Sequence, residues 1–418
     1  MSPSPVPSDS SPLKRVVLVG GGHAMLPSLQ AARQWTDAGH EVTLVNPGRF
    51  LYYSGMVPEY LGGVYREEDV RIDLQALCAT ANVRFVEARA AALDAKRQRV
   101  QAGGTWLPYD LAALDIGAVP PGRPQTALPT KPLHGLQALA ASVQAVLHDA
   151  RTTRHLVMVG AGAAGVELTL NLSARLHRAG KASQMKLTLV DQADRVLPRF
   201  PVGASRYAAR MLRQRGVRLH LGTTVSPPRP DEGALRVALS GAAEDLVVDD
   251  VVWATGATAP PLLQDSGLPC TANGFVRVDP QLQVHGHPAV FAAGDCAKVE
   301  GYADLARIGV HAVKQGPVLR DNITHALHER KDTARKTFRP YPVAPLILST
   351  GTPRGLWIAG PLWIAGTPML RLKHYVDRSW IQSYQPSDTP ARGLDLWDAR
   401  APLPKALPSA VQHAPVSA

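Results

Sequence analysis

Residues 155–191 read HLVMVGAGAAGVELTLNLSARLHRAGKASQMKLTLVD, and this stretch decides the fold. An apolar run at 155–159 predicts a strand. It enters Gly160-Ala161-Gly162-Ala163-Ala164-Gly165, a complete G-x-G-x-x-G. Residues 166–178 carry a helical pattern, Gly180 stops it, and 186–190 form a second strand ending in Asp191. Strand, glycine loop, helix and strand in this order make a dinucleotide-binding β-α-β unit. In such a unit Gly160 permits the tight turn, Gly162 lets the backbone approach a pyrophosphate, and Gly165 lets the helix pack on the strand. The helix N-terminus offers unpaired N–H groups and a positive dipole end to the phosphates. Asp191 is placed to accept from a ribose diol and to repel a 2′-phosphate, which favours NADH; Arg195 nearby leaves NADPH open.

The pattern occurs once more, upstream. A strand at 15–19 enters Gly20-Gly21-Gly22-His23-Ala24-Met25, a helical stretch runs to Ala38, Gly39 ends it, and 42–45 form a strand. Met25 stands in place of the third glycine. Asn46, not an acid, ends the second strand; it can hydrogen-bond a ribose hydroxyl but brings no charge. His23, near the helix start, is either a polar contact to a cofactor or an ordinary loop histidine. Three more strand ends belong to the same kind of site: 111–116 before Gly117, 251–254 before Thr255-Gly256, and 291–293 before Gly294-Asp295. A carboxylate at the last can bind a polyol hydroxyl, and a long helix is expected to follow it through His325. One nicotinamide site does not need two glycine loops and this third element; a chain that binds two dinucleotides does.

Composition narrows the classes. The 418 residues are 45% hydrophobic and 19% charged, enough for two or three domains. The formal net charge is +11, but many basic residues are scattered singly, which reads as a solvated surface rather than a nucleic-acid footprint. Cys78, Cys270 and Cys296 lie far apart with no CxxC, so neither a disulfide framework nor a metal cluster is expected, and a reducing cytoplasm fits. Residues 1–13 read as a disordered leader without the apolar core of a signal peptide, and 385–418 as a disordered Pro- and Ala-rich tail. No run of about 18 apolar residues is long enough to span a membrane. The nearest, 355–370, is broken by Gly360, Pro361, Gly366 and Pro368.

The ordered series GGGHA, YSGM, LDIG, GAGAAGVE, ATG, AAGD and VHAVKQGPVL resembles the FAD-dependent pyridine nucleotide-disulfide oxidoreductase superfamily. It is most similar to the type II NADH dehydrogenase-like branch, including the flavin domain fused to selenide water dikinase. The resemblance covers roughly residues 14–382. It implies an α/β fold with two Rossmann-type domains, the NAD domain inserted in the FAD domain, plus a small C-terminal α+β domain. The expected division is 14–130 and 257–332 for FAD, 131–256 for NAD(P)H, and 333–384 for the C-terminal domain. Gly20, Gly22, Asn46 and Asp295 are implied at FAD, with Gly117, Gly256 and Gly294 at neighbouring strand ends. Gly160, Gly162, Gly165, Glu167 and Asp191 are implied at the nicotinamide dinucleotide.

Residues 53–58, with Ser54 and Gly55, correspond to a loop beside the flavin, and 307–315 to a helix start facing its pyrimidine end. His311 and Gln315 stand where type II dehydrogenases carry Q-x-x-x-Q at the quinone site. With Glu167 they are the catalytic candidates, and His311 departs from the family pattern. The implied activity is transfer of a hydride from NADH to FAD and of electrons to a quinone or another small acceptor. The alternatives are a reductase of a protein carrier and a flavin-binding sensor without high turnover. Disulfide reductases of this kind need a paired redox cysteine motif, which is absent, and sulfide:quinone reductases are disfavoured for the same reason. Cys78 and Cys296 read as packed thiols.

The C-terminal part repeats Leu-Trp-Ile-Ala-Gly at 356–360 and 362–366, a strand–turn–strand signal. Met369, Leu372, Val376 and Trp380 then recur at helical spacing, with Arg371, Lys373, His374 and Arg378 on other faces. Such a helix can lie on an anionic membrane at the inner face of the cell. It can equally cap the FAD domain or form a homodimer face. Arg206, Arg210, Arg213 and Arg215 read as a solvated basic face.

Overall fold

A computed structural model describes residues 12–130, 135–149, 151–302, 305–328 and 334–385. The expected leader and tail lie almost wholly outside the described residues. Two large sheets carry the molecule, one mixed and one wholly parallel. The larger has eight strands, and the five from one edge inward are Arg84–Glu87, Glu41–Asn46, Arg15–Val19, Leu111–Leu114 and His287–Ala292, paired parallel in that order; beyond them the sheet continues through an antiparallel strand, Gln283–Val284. The strand at 111–114 is buried on both sides, which is why it reads as an unbroken apolar run rather than an alternation. The last member enters from beyond the second glycine unit, so the first sheet is closed by chain on either side of an insertion.

The second sheet has five parallel strands in the order Leu128–Pro129, Asp250–Trp253, Arg154–Val159, Met185–Asp191 and Arg218–Leu221. Its helix Ala163–Arg178 is amphipathic by residue spacing yet buried along most of its length, because both the second sheet and the C-terminal sheet pack on it. The chain crosses between the two sheets twice. The crossings pair with each other where Val119 N donates to Thr258 O and Thr258 N to Val119 O.

Because parallel strands all point one way, each sheet gathers its strand ends on one edge. Gly20, Asn46, Asp115 and Gly294 meet on the first, and Gly160, Asp191 and Ala254 on the second. Ligands of open α/β sheets bind at this carboxyl edge. The helix expected directly after Asp295 is different in detail. A short 3-10 turn at Gly294–Cys296 is followed by a strand, Ala297–Val299, and the helix begins at Gly309 and runs to Leu327. Cys78 and Cys296 are buried and all three cysteines are free.

The C-terminal unit is an antiparallel sheet of Leu346–Thr352, Arg354–Ala359 and Leu362–Gly366, followed by a helix, Thr367–Gln382. Gly360, at φ +55°, makes the turn between the repeated segments. The helix corrects the expectation from its pattern. Its buried face is Leu370, Lys373, His374, Asp377 and Ile381, while Leu372, Tyr375 and Val376 are exposed. Lys373, His374 and Asp377 are inside while Leu372 and Val376 are outside, because charged partners from the rest of the chain lie underneath; Arg371 stays exposed and Trp380 is half-buried against His23 and Tyr53. Arg215 is a smaller correction: it is half-buried and donates to the carbonyls of Leu170 and Thr350 rather than facing solvent.

Candidate functional site

At the second glycine loop each glycine has a distinct steric reason. Gly160 has φ +110°, and a Cβ there would lie 2.6 Å from the Ala254 carbonyl oxygen. A Cβ on Gly165 would lie 1.9 Å from the Gly160 carbonyl oxygen, so the helix start can only pack there without a side chain. Gly162 has no heavy atom within 4 Å of that position. Nothing in the protein needs Gly162 to be bare, and the open space is what close approach of a pyrophosphate requires. The helix begins at Ala163 with no side-chain cap, leaving its N–H groups free for phosphate.

Asp191 sits beside this opening. Its carboxylate accepts from Ala161 N at 2.5 Å and Ala193 N at 2.8 Å. Arg195 turns away, its guanidinium donating to the carbonyls of Leu197, Pro198 and Phe200. The basic residue that left NADPH open is thus engaged within its own turn.

The first loop is built differently. Asn46 accepts from Gly21 N at 2.9 Å and donates to Gly48 O at 2.6 Å, so it braces the loop itself. Asp115, one residue past the strand at 111–114, accepts from Ala24 N at 2.8 Å and Met25 N at 3.0 Å and is 4% exposed. Burial pushes its carboxyl up to about 7, with the Asp295 charge adding to the effect against the opposing Ala24 N–H bond. Sequence reading passed over this residue; an acid closing an otherwise apolar strand was the available signal. Asp295 lines a pocket with Gly294, Arg307, His311 and Gln315.

Gln315 Oε1 accepts from Gly294 N at 2.6 Å. His311 is 6% exposed, with burial and then Lys314 holding its imidazole below the ordinary value, and its Nδ1 has no hydrogen-bond partner among the described residues. An orphaned buried nitrogen next to Asp295 and Gln315 is a polar atom in want of a ligand. These residues fit an FAD polyol and ring edge, and the second loop fits a dinucleotide phosphate. Ser54 meets the helix start, its Oγ lying 3.3 Å from where a Cβ on Gly309 would be. Gly117 and Gly256 have open space at the Cβ position. His23 joins an aromatic group instead, stacked on Trp380 with centroids 5.3 Å apart and tilted against Tyr53 at 5.5 Å.

Glu167 is drawn away from the nucleotide opening. Its Oε1 accepts from Ser349 N at 2.7 Å and Ser349 Oγ at 2.9 Å. Burial pushes its carboxyl up to about 7, with Lys373 opposing. Next to it lies a group invisible in the sequence pattern. Lys373 Nζ is 2.6 Å from Asp377 Oδ2 and 3.0 Å from Glu59 Oε2 and also donates to Gly55 O; His374 Nε2 is 2.6 Å from Glu59 Oε1, and Tyr53 OH donates to Asp377 Oδ1 at 2.9 Å. Burial disfavours the Lys373 ammonium, but its carboxylate neighbours outweigh that and hold it well above the ordinary value. The cluster ties the C-terminal helix to the 53–58 turn. Among the described residues no group of His, Cys, Asp and Glu has the arrangement of a metal site.

Known proteins share this architecture. A type II NADH:quinone oxidoreductase of Staphylococcus epidermidis is 24% identical over 393 residues, 87% of this chain and 94% of that protein. The NDH2 structure of Plasmodium falciparum in complex with NADH superposes with a TM-score of 0.72 at 12% identity, covering 89% of this chain and 98% of that one. The sulfide:quinone oxidoreductase of Aquifex aeolicus gives 0.69 at 15% identity, covering 90% and 93%. At these identities the two structures speak for the fold. Residues 14–316 match the family described as Pyridine nucleotide-disulphide oxidoreductase, and on that match the chain belongs to this family.

Proposed function

We propose that this chain is an FAD-dependent oxidoreductase that takes a hydride from NADH and passes the electrons to a quinone. The observation that carries the reading is a pair of glycine-loop cradles at the carboxyl ends of parallel strands in two sheets of one chain. FAD, when bound, supplies an isoalloxazine that accepts a hydride and gives up electrons singly or in pairs. The protein's part is to hold and screen. The Gly160–Gly165 loop and the helix it opens hold the NADH phosphates, and Asp191 meets the ribose. The first loop, Asn46 and Asp295 hold the flavin dinucleotide. The N-terminus of the 309–327 helix turns its positive dipole end toward negative charge at the ring, and His311 and Gln315 flank it. Glu167, on the nucleotide helix and turned to Ser349, is pushed up to about 7 and is able to hold a proton there. We assign 14–127 with 257–332 to FAD and 128–256 to NADH; the expected boundary after 130 moves because the strand Leu128–Pro129 pairs with Asp250–Trp253 of the second sheet.

The quinone reading also rests on the exposed apolar surface of the C-terminal unit. Leu362 is 65% exposed and Tyr375 70%, and Ile364, Leu372 and Val376 are exposed with them. Trp363 packs on Tyr207 of the helix Val202–Gln214, which brings exposed Arg206, Arg210 and Arg213 to the rim. No helix among the described residues is long and apolar enough to cross a membrane. We therefore propose peripheral contact with an anionic bilayer, at its cytoplasmic face, where a lipid quinone is within reach. Anaerobic titration of the purified protein with NADH, followed by an acceptor screen, tests the whole reading. Bleaching of a bound flavin and turnover with quinone in vesicles are expected. Turnover with a carrier protein alone, or no flavin reduction by NADH, overturns it.

A further inference from the structure

The two glycine loops follow one plan, and besides Met25 for the third glycine and Asn46 for the acid they differ in what lies over the second glycine. A Cβ on Gly160 would meet the Ala254 carbonyl oxygen at 2.6 Å, and a Cβ on Gly20 would meet that of Asp115 at 2.3 Å. Ala254 and Asp115 each follow the strand that neighbours the loop strand, so they hold equivalent positions. Above Gly162 the space is open. Above Gly22 it is filled, because a Cβ there would lie 2.4 Å from the Asp115 carboxyl. A Cβ on Gly294 would lie 2.2 Å from Asp115 Oδ1. The buried carboxyl therefore sits between the two elements read above as the FAD cradle, and its Oδ2 holds the helix start through Ala24 N and Met25 N.

We propose that Asp115 serves the flavin dinucleotide as a neutral acid: seating the pyrophosphate draws one proton from bulk water onto its carboxyl, which then faces the cofactor as a hydrogen-bond donor rather than a charge. The inference rests on the FAD reading of this loop. An ionised carboxylate and a pyrophosphate side by side in a buried site repel strongly, and the cheapest relief is protonation. The nearby cation, Arg307, acts on Asp295 and Cys296 and not on Asp115. From the 294–296 turn the facing groups are the Asp295 carboxylate and the Cys296 thiol. The first loop presents backbone N–H groups, and its His23 ring is stacked on Trp380. The 309–327 helix presents Gln315, bound to Gly294 N, and His311, held below its ordinary value. Among the described residues no ion pair reaches Asp115. Burial already pushes its carboxyl up to about 7.

Proton uptake on binding makes affinity fall as pH rises: flat below about 7, then weakening by up to about tenfold per pH unit. The test dilutes the holoprotein over roughly pH 6 to 9 and reads released FAD by its fluorescence. Infrared difference spectra of the same holoprotein against Asp115→Asn read the carbonyl stretch of a protonated carboxyl. The wild-type chain is expected to release FAD increasingly above neutrality and to show the acid band. Asp115→Asn, a neutral donor of similar shape, is expected to lose both the pH dependence and the band. Asp115→Ala, which copies Ala254, is a second variant should the first not fold; it is expected to lose the pH dependence while binding FAD more weakly at low pH. A wild-type release curve flat with pH, or one that survives in the variants, overturns the inference and leaves the FAD reading standing. A wild-type chain that takes up no FAD at any pH overturns both.

Discussion

Lys373 Nζ lies 3.0 Å from Glu59 Oε2, and both side chains are almost fully buried, so a C-terminal helix is pinned by charge to the helix Val57–Leu61 beside the first glycine unit. Asp377 and His374 complete the set. Two charges removed from water stabilise the fold only when each has its partners, and removing one partner leaves the other stranded. This arrangement reassigns Lys373. It is not a membrane-facing cation, and cutting the chain after residue 366 would expose Glu59 and Leu356 rather than leave the flavin unit untouched.

Lys373→Met is expected to destabilise the protein by about 3–5 kcal/mol, because Glu59 and Asp377 lose their common counter-charge. Chemical denaturation of the flavin-loaded protein measures it. A loss under about 1 kcal/mol would mean that water reaches the cluster and screens it as on a surface.

Glu167 supplies a pH signature. Its carboxyl stands at about 7 in the folded chain against 4.5 ordinarily. The folded state then binds more protons than the unfolded state between those values, so this group makes stability fall as pH rises from 4.5 to about 7. Glu167→Gln is expected to remove that fall, flattening the slope by up to about 1.4 kcal/mol per pH unit. Denaturation midpoints of both proteins across this window decide it; parallel curves would place the proton elsewhere.

The two glycines of the second loop separate binding from folding. Gly162→Ala meets no atom of the protein and is expected to fold normally while weakening NADH binding at least tenfold, about 1.4 kcal/mol. Gly165→Ala drives a methyl group into the Gly160 carbonyl and is expected to cost stability first. Melting curves beside NADH titrations distinguish them, and normal NADH affinity in Gly162→Ala would remove the phosphate assignment.

Coenzyme choice is expected to follow Asp191 and not Arg195. Stopped-flow reduction of the flavin should be faster with NADH than with NADPH. Asp191→Ser should narrow the gap by removing the charge that repels a 2′-phosphate. Arg195→Ala should leave the ratio unchanged, since its guanidinium is spent on backbone carbonyls. A collapse of NADPH use in Arg195→Ala would show that the arginine swings out to the ligand.

On anionic vesicles, Arg206→Gln, Arg210→Gln and Arg371→Gln should each weaken association by about 1 kcal/mol at low salt. Ile364→Ser and Leu372→Ser should weaken it at any salt. Co-sedimentation reads both. A wild-type protein that stays in the supernatant at low salt would return Leu362, Ile364, Tyr375 and Val376 to the role of a dimer face, with sedimentation velocity to confirm it.

The sequence by itself determined the two nucleotide units and their order, and their nesting followed from the family resemblance. Glycines at fixed spacing, apolar strands and helix stops are local requirements, met within some forty residues of chain. Gly160, Gly162, Gly165 and Asp191 were legible for that reason, and so was the turn at Gly360. Only the tertiary structure decided what lies opposite each of them. Asp115 reaches the first loop from a neighbouring strand, and Gly22 is bare for its carboxyl as much as for any ligand. Lys373, His374 and Asp377 look like the wet face of a helix until Glu59, distant in sequence, is placed beneath them. Periodicity reports which residues share a face, but whether that face meets water or counter-charge depends on the segment folded against it.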